Sequence, residues 1–335
     1  MQQTYLGRSG LVVSELCLGT MTFGGAADRD AARAILDRFR EAGGTFLDTA
    51  DVYTGGRSEE ITGELVADAR DDVVIATKAY GATGEGPNDR SASRRHLVQA
   101  AEASLRRLGT DYIDLYQIHA FDPTTPLDET FGALDDLVRA GKVLYVGVSN
   151  FAGWQLERAC RLQELRGWDR MVSLQPQYNL VERQIELETL PAAYANGLGV
   201  LAWSPLAAGF LTGKYERGGQ AEGKGRFAQF IDNMGERQWA TLDVVRDIAA
   251  GRRVDPATIA IAWLRRRPGV IPIIGATRPD QLDASLAAAE IDLDDDEGAR
   301  LDEASAPDRG YPWDFGTIGG RPARDLAAPG PEYLG

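Results

Sequence analysis

Residues 45–53 read Thr-Phe-Leu-Asp-Thr-Ala-Asp-Val-Tyr, and the rest of the chain is organised around this stretch. Its apolar start follows Gly43-Gly44, which ends a helical pattern, so a brief buried strand is predicted here. A carboxylate, Asp48, stands at the end of the strand, and a phenol, Tyr53, follows it. A buried strand that ends in these two groups indicates a place where a proton is transferred.

Similar strand-like segments recur along the whole chain. Short apolar, largely β-branched runs begin near residues 16, 45, 73, 112, 143, 171, 200 and 270, with amphipathic helical patterns between them. Parallel strands joined by helical crossovers produce this alternation. Eight such runs predict an α/β fold of the (β/α)8 TIM-barrel type. An N-terminal β-hairpin with its turn near Arg8-Ser9-Gly10 precedes the barrel, and extra C-terminal helices and a tail follow it.

The main alternative fold is a doubly wound sheet with a dinucleotide-binding loop. That fold predicts the pattern G-x-G-x-x-G after an early strand. The first strand is instead followed by Gly19-Thr-Met-Thr-Phe-Gly24-Gly25, which does not match. No linker divides the chain, so we expect one domain over residues 1–335. It contains a long Gly-rich connection over residues 206–235 and a Pro- and Gly-rich tail over residues 306–335.

Composition limits the classes of partner. The 335 residues carry 36 basic and 50 acidic side chains, a formal charge of −14, and such a surface disfavours nucleic-acid binding. No run approaches the roughly 18 apolar residues of a membrane span, and the N-terminus does not resemble a signal peptide. Cys17 and Cys160 lack metal-ligand spacing. We therefore expect a cytoplasmic protein without a metal, a membrane or a nucleic-acid partner; the oligomeric state is not predicted.

Polar and small residues cluster at the carboxyl ends of the predicted strands. In a barrel these ends converge on one face, where active sites are built. The residues expected to share one pocket for this reason are Asp48, Lys78, His119, Ser149, Asn150, Gln175, Ser204, Gly275 and Ala276.

Four of the residues near this face form a chemically compatible set, here called the tetrad: Asp48, Tyr53, Lys78 and His119. A free phenol has a pKa near 10, and an adjacent cation such as Lys78 is expected to lower it. The phenol would then donate a proton to a substrate oxygen while a hydride arrives at carbon, with His119 hydrogen-bonded to the same oxygen. Taken singly, the tyrosine is also consistent with a packing residue and the lysine with a structural ion pair. The second histidine, His96, is interpreted as a surface residue.

Eight stretches together resemble the aldo-keto reductase family and cover nearly the whole chain. They are Leu18-Gly-Thr-Met21, Phe46 to Tyr53, Ala76-Thr-Lys78, Asp111 to His119, Gly141 to Phe151, Gln175-Pro-Gln-Tyr-Asn179, Trp203-Ser-Pro-Leu206 and Ile274-Gly-Ala276. The resemblance implies NAD(P)H-dependent reduction of aldehydes or ketones. It implies that Tyr53 is the general acid, that Lys78 and Asp48 tune it, and that His119 orients the carbonyl. The resemblance extends to bacterial members, some of which reduce keto-sugars in deoxysugar pathways, so it implies a keto-sugar as one candidate substrate.

The resemblance also implies the cofactor site. Ser149, Asn150 and Gln175 should hold the nicotinamide carboxamide, and Trp203 should stack on the nicotinamide ring. Ser204 and Leu206 should follow the pyrophosphate, and Gly209, Leu211 and Lys214 begin the connection beside it. Lys214, Lys224 and Arg226 are basic groups that suit phosphate; for Lys224 and Arg226 a solvated loop without a ligand is an equal alternative.

The turn after the last strand departs from the form with a lysine or serine and an arginine that clamps the 2′-phosphate of NADPH. Here Gly275, Ala276 and Gln281 stand at these places, and Arg278 is the one cation left in the turn. A guanidinium suits phosphate well. Other branches of the family share this Gly-Ala…Gln form, so the resemblance implies NADPH as the cofactor, and NADH stays open.

The substrate pocket is expected among loops on the same face, with Met21, Phe23, Tyr80 and Phe121 as lining residues. Whether the tail from residue 306 closes its mouth is not predicted. Two other functions stay open. One is a cofactor-sensing regulatory subunit of the same fold with little turnover. The other is a hydrolase with paired carboxylates, which would need a second acid near Asp48 at a strand end.

Overall fold

Eight parallel strands form a closed barrel in the computed structural model, which describes residues 1–217 and 231–315. The strands follow one another around the barrel in chain order, and the last pairs with the first. Each of the eight apolar runs contains one strand, so the predicted TIM barrel is confirmed. The strands are β3 (Cys17–Gly19), β4 (Phe46–Asp48), β5 (Val74–Ala79), β6 (Ile113–Ile118), β7 (Val143–Ser149), β8 (Ser173–Gln175), β9 (Gly199–Ala202) and β10 (Val270–Ile274).

The predicted N-terminal hairpin is also present. Strands β1 (Gln3–Tyr5) and β2 (Val12–Ser14) pair antiparallel, with Tyr5 opposite Val12. The turn brings Gly7 so close to the barrel that a Cβ atom there would lie 2.4 Å from the backbone nitrogen of Gly199. Glycine is therefore required at this contact.

Ten α-helices lie within the described part of the chain and surround the barrel. They are α1 (Arg29–Glu41), α2 (Arg57–Val66), α3 (Arg94–Leu108), α4 (Leu127–Arg139), α5 (Gly153–Arg166), α6 (Thr189–Ala195), α7 (Glu236–Arg252), α8 (Pro256–Arg265), α9 (Pro279–Leu286) and α10 (Asp295–Ala304). Helix α1 illustrates how they form. Asp28 caps it by accepting a 2.9 Å hydrogen bond from the Ala31 amide, and Ile35 and Phe39 are buried four residues apart on one face.

Two hydrophobic clusters make the core. The larger lies between the barrel and the helices. The smaller fills the barrel interior and includes Phe46, Ala76 and Leu115, together with Leu6 and Val13 from the hairpin. The hairpin therefore closes the amino-terminal end of the barrel with apolar side chains, which leaves the carboxyl-terminal end for polar groups.

Parts of two predicted segments lie outside the described residues. The connection over 206–235 is described as far as residue 217 and again from residue 231, so Lys224 and Arg226 are not included. The tail over 306–335 is described to residue 315. The assignment of residues 1–335 to one domain stays a prediction. Within the ranges described, no helix is long and apolar enough to cross a membrane, and no group of three or more metal-binding side chains is found.

Candidate active site

The two-residue period of β-strands places a layer of polar side chains next to the apolar interior, at the carboxyl-terminal end of the barrel. Side chains two residues apart on a strand point to the same side. Phe46, Ala76 and Leu115 point into the interior cluster. Two residues further along the same strands stand Asp48, Lys78 and Gln117, all three buried. Three adjacent strands, β4, β5 and β6, thus bring these groups together at the carboxyl-terminal end.

The Lys78 ammonium is the centre of this layer. It is fully buried and donates to Asp48 Oδ2 at 2.6 Å, to the Thr49 carbonyl at 2.7 Å and to Tyr53 Oη at 3.2 Å. An ammonium has three protons to donate, so all of its donors are used. Because the ion pair with Asp48 fixes the lysine charge, Tyr53 receives a charge-assisted hydrogen bond.

A sharp turn holds Tyr53 over the lysine. Tyr53 is the first residue of a 3-10 turn, Tyr53–Gly56, in which Thr54 and Gly55 have φ angles of 49° and 65°. The Thr54 hydroxyl donates to the Phe23 carbonyl at 2.7 Å, which ties the turn to the loop after β3. Lys78 Nζ lies 4.9 Å from the centroid of the Tyr53 ring.

His119 faces the same phenol from the end of β6. The two rings meet edge to face, with centroids 5.8 Å apart and an interplanar angle of 79°. Burial, followed by the charge of Lys78, lowers the pKa of His119 to about 3. The imidazole is therefore neutral at physiological pH and has one N–H to donate.

Lys78 acts to lower the pKa of Tyr53, as expected, but the net pKa of the phenol still lies above its ordinary value. Burial raises the pKa of Tyr53, the lysine charge opposes this increase without outweighing it, and the Asp48 charge adds to it. Burial also acts to lower the pKa of Lys78, but Asp48 and Tyr53 outweigh it, and the pKa is raised. The site therefore holds a charged lysine beside a protonated phenol.

Two side-chain amides face Asp48 Oδ1, the carboxylate oxygen that Lys78 does not bind. Gln175 Nε2 donates to Asp48 Oδ1 at 2.8 Å, and Gln117 Nε2 approaches the same atom at 3.4 Å. Gln175 was predicted to bind only the nicotinamide, yet its Nε2 donates to Asp48 of the tetrad. Gln117 was not predicted, although its place two residues before His119 puts it on the same side of β6 and could have indicated it.

Four residues predicted for the nicotinamide are linked to one another and to the tetrad. The Ser149 hydroxyl donates to the Gln175 carbonyl at 2.8 Å. Asn150 Nδ2 donates to the His119 carbonyl and to Ser149 Oγ, both at 2.9 Å, and Trp203 Nε1 donates to Asn150 Oδ1 at 3.1 Å. Asn150 has a φ of 56°, a conformation that concentrates at functional sites. The structure thus brings together Ser149, Asn150, Gln175 and Trp203.

The connection after β9 begins with tight backbone turns. Ser204 and Ala208 have φ angles of 55°, and Ser204 Oγ accepts a 3.2 Å hydrogen bond from the Ala208 amide. Lys214 folds back so that its Nζ lies 3.3 Å from the position of a Cβ atom at Gly209. Leu206 is half-buried and Leu211 is buried, so the latter can offer only its backbone to a ligand.

The turn after β10 is organised by its own side chains. Gln281 Oε1 accepts two hydrogen bonds of 2.9 Å, from the amide and the hydroxyl of Thr277. Exposed Arg278 binds both carboxylate oxygens of Asp280 at 3.1 Å. Gly275 is exposed and Ala276 is buried. The Arg278 guanidinium, predicted to bind phosphate, therefore already has an anionic partner in Asp280.

The predicted substrate-lining residues divide into two groups. Met21 is exposed, Tyr80 is half-buried, and Phe121 is half-buried against Phe151 and the exposed Trp154, with ring centroids 5.4 and 5.8 Å away. Trp154 was not predicted.

Phe23 differs from this group, because it is 1% exposed and packs in the larger core cluster. Its assignment as a lining residue is corrected to a packing residue. The loop after β3 turns back on the helices, which the sequence pattern did not reveal.

The interpretation of His96 as a surface residue is also wrong. Its side chain is 2% exposed, and its Nε2 has no hydrogen-bond partner among the described residues. Its place in the first turn of α3, next to Arg94 and Arg95, made it seem external. By contrast, Asp114, the second residue of β6, is a structural acid, since its Oδ2 accepts from Arg70 at 2.5 Å and from the Ile75 amide at 3.0 Å.

Comparison with known proteins identifies the family. The model of the aldo/keto reductase family matches residues 15–306. The chain belongs to this family. It is 41% identical over 306 residues to an uncharacterized oxidoreductase, YrpG, of Bacillus subtilis, covering 88% of this chain and 93% of that protein. It is 38% identical over 303 residues to a probable voltage-gated potassium channel subunit beta of rice, covering 87% and 92%.

A third relative is the versiconal hemiacetal acetate reductase of Aspergillus parasiticus. It is 32% identical over 341 residues, covering 93% of this chain and 99% of that protein. As a member of the aldo/keto reductase family, the protein is an NAD(P)H-dependent oxidoreductase that acts on small carbonyl compounds.

Proposed function

We propose that the protein reduces an aldehyde or a ketone to the alcohol with NADPH, and that Tyr53 is the general acid. The observation that carries the proposal is the three-way contact of the buried Lys78 ammonium with Asp48 Oδ2, the Thr49 carbonyl and Tyr53 Oη. A lysine that served only as a structural ion pair would not need to bind a phenol at the open end of a barrel.

The tetrad accounts for the proton half of the reaction. The bound cofactor supplies the hydride that reaches the carbonyl carbon. Tyr53 donates its proton to the carbonyl oxygen, and Lys78 stabilises the phenolate that is left. Neutral His119 donates a hydrogen bond to the same oxygen and so orients the carbonyl. Asp48, held by Gln175, keeps the lysine charged and aimed at the phenol.

The residues present fit a nicotinamide. Gln175 uses Nε2 on Asp48, and its Oε1 makes no hydrogen bond within the described part of the chain, so this atom can accept from a carboxamide. Ser149 and Asn150 offer further polar atoms beside it, and the half-exposed Trp203 ring is fixed by Asn150. These four residues would hold the ring next to Tyr53 and His119.

The preference for NADPH over NADH depends on cations near the 2′-phosphate. Arg278 is predicted to bind this phosphate in exchange for Asp280, its present partner. Lys214 has no carboxylate partner in the described ranges and folds over Gly209, so we assign it to the cofactor phosphates as well.

The mouth of the barrel favours an apolar carbonyl compound. Met21 and Trp154 expose about half of their side chains there, and Phe121 packs beside the latter. A keto-sugar would leave this aromatic surface less well covered. The test is a panel that contains aromatic aldehydes, aliphatic ketones and keto-sugars, in which NADPH consumption and alcohol formation are both measured. Turnover of an aromatic aldehyde is the expected result.

A regulatory subunit of the same fold is the second candidate, because of the 38% identity to the probable potassium channel subunit beta of rice. Tight NADPH binding without alcohol formation from any carbonyl of the panel would favour it and would contradict the reductase.

A further inference from the structure

A buried carboxyl group beside the tetrad has no role in the mechanism above. Asp51 stands two residues before Tyr53 and is 2% exposed. The backbone amide of Asp51 donates to the Lys78 carbonyl at 3.1 Å, and this hydrogen bond ties Asp51 to strand β5. Neither carboxyl oxygen has a hydrogen-bond partner among the described residues. Buried polar atoms are nearly always paired, so an unpaired carboxyl next to a reacting phenol calls for an explanation.

The charges around Asp51 are already balanced without it. On the outer side, fully buried Glu59 of α2 accepts from Thr77 Oγ1 and from Arg107 Nε of α3, both at 2.6 Å. On the inner side, Lys78 of β5 is neutralised by Asp48 of β4. The other titratable groups that sense Asp51 are the phenols of Tyr53 and of Tyr116 in β6.

A third carboxylate between two matched ion pairs has no cation of its own. Removing an unpaired carboxylate from water is costly, so such a group takes up a proton instead. Burial, and then the charge of Glu59, raise the pKa of Asp51 to about 7, against the opposing effects of Arg107, a backbone contact at Val52, and Lys78. At the acid side of neutrality Asp51 is a neutral carboxylic acid, and above neutrality it becomes an anion behind the tetrad.

We propose that Asp51 is a positioning residue that acts through Lys78 and Tyr53, and that its ionisation slows the transfer of the Tyr53 proton to the carbonyl. This inference rests on the proposed reductase function. The neutral acid leaves the Lys78 ammonium committed to Asp48 and Tyr53. The Asp51 carboxylate partly offsets the attraction of that ammonium for the phenol oxygen, and it repels negative charge on this oxygen.

The test is the pH dependence of the single-turnover rate of carbonyl reduction, measured from about pH 5.5 to about pH 9. In the wild type we expect the rate to fall about 3- to 10-fold through neutrality. Asp51→Asn copies the neutral acid and cannot ionise. It should keep the rate of the acid side at every pH, with an unchanged cofactor Kd.

A second variant keeps Asp51 and alters its surroundings. Glu59→Gln removes the anion that favours the protonated form, so the fall in rate should move to lower pH. Asp114→Asn makes the same chemical change at a buried acid near the amino end of β6, and its pH profile should match that of the wild type.

Each outcome decides the inference. A profile that falls through neutrality in Asp51→Asn as in the wild type, or a fall that does not move in Glu59→Gln, overturns it. If Asp51→Asn does not fold, Glu59→Gln alone decides. A wild type that reduces no carbonyl, or a Tyr53→Phe variant that remains fully active, refutes the reductase mechanism instead, so the two failures are distinguishable.

Discussion

The behaviour of single residues in this protein is set by what burial costs them. Lys78 is fully buried, and its charge is tolerated because Asp48, Thr49 and Tyr53 accept hydrogen bonds from all three N–H groups of its ammonium. The same burial keeps His119 neutral and the Tyr53 phenol protonated. A site that donates a proton thus arises from one charged pair and two neutral groups.

The Asp48–Lys78 pair allows stability and catalysis to be separated. Lys78→Met leaves a buried carboxylate without its cation, so we expect a loss of about 3–5 kcal/mol in the free energy of unfolding together with loss of reduction. Combining it with Asp48→Asn removes the unpaired charge and should recover most of that stability without any activity. Urea unfolding and NADPH oxidation measured on the same samples check this. Recovery of activity in the double variant would contradict the role assigned to the lysine.

At the scale of elements, the site is assembled by strand ends and by the turns after them. Most of this was predictable, because apolar β-branched runs and helical periodicity are local properties of the sequence. The eight strands follow from them, and so does the meeting of Asp48, Lys78 and His119 on three neighbouring strands. The resemblance to a family added roles that periodicity does not contain.

What could not be predicted depends on contacts between distant segments. The loop after β3 folds Phe23 into the core, and His96 is buried although it lies among charged neighbours in the sequence. The direction of the pKa shift at Tyr53 reflects burial by several elements, which no local pattern reveals. Gln175 reaches Asp48 across 127 positions of sequence. These features depend on contacts that form only in the folded barrel, so the sequence pattern alone does not predict them.

The turn after β10 gives a prediction about cofactor choice. Arg278→Ala should raise the KM for NADPH far more than the KM for NADH, because only NADPH carries the 2′-phosphate that the guanidinium would bind. Asp280→Asn is the matched variant. It frees Arg278 from its partner, so it should lower the KM for NADPH and leave that for NADH nearly unchanged. Steady-state kinetics with both cofactors decide this, and equal effects on the two would exclude Arg278.

At the scale of the whole molecule, stability and chemistry are assigned to opposite ends of the barrel. The hairpin β1–β2 closes the amino-terminal end through fully buried Leu6 and Val13. The tetrad occupies the carboxyl-terminal end, as expected for a barrel enzyme.

This division predicts how a change far from the site behaves. Leu6→Ala should cost about 2–5 kcal/mol in the free energy of unfolding, because it leaves a cavity in the interior cluster. It should leave the kcat of the folded enzyme close to that of the wild type. Leu165→Ala is the control, since Leu165 is 83% exposed, and it should change neither quantity. A large fall in kcat for Leu6→Ala below its unfolding transition would show that the two ends are coupled.

The proposed reduction depends on the Tyr53 phenol as the source of the proton. The most direct test compares Tyr53→Phe with the wild type in NADPH oxidation on a carbonyl that the wild type reduces, with the NADPH Kd measured for both. Tyr5→Phe serves as the control, because that phenol lies on the exposed face of the hairpin. We expect reduction to fall at least about 100-fold in Tyr53→Phe, while its NADPH binding and the activity of Tyr5→Phe stay at the wild-type level. Similar rates of reduction in Tyr53→Phe and the wild type would contradict it.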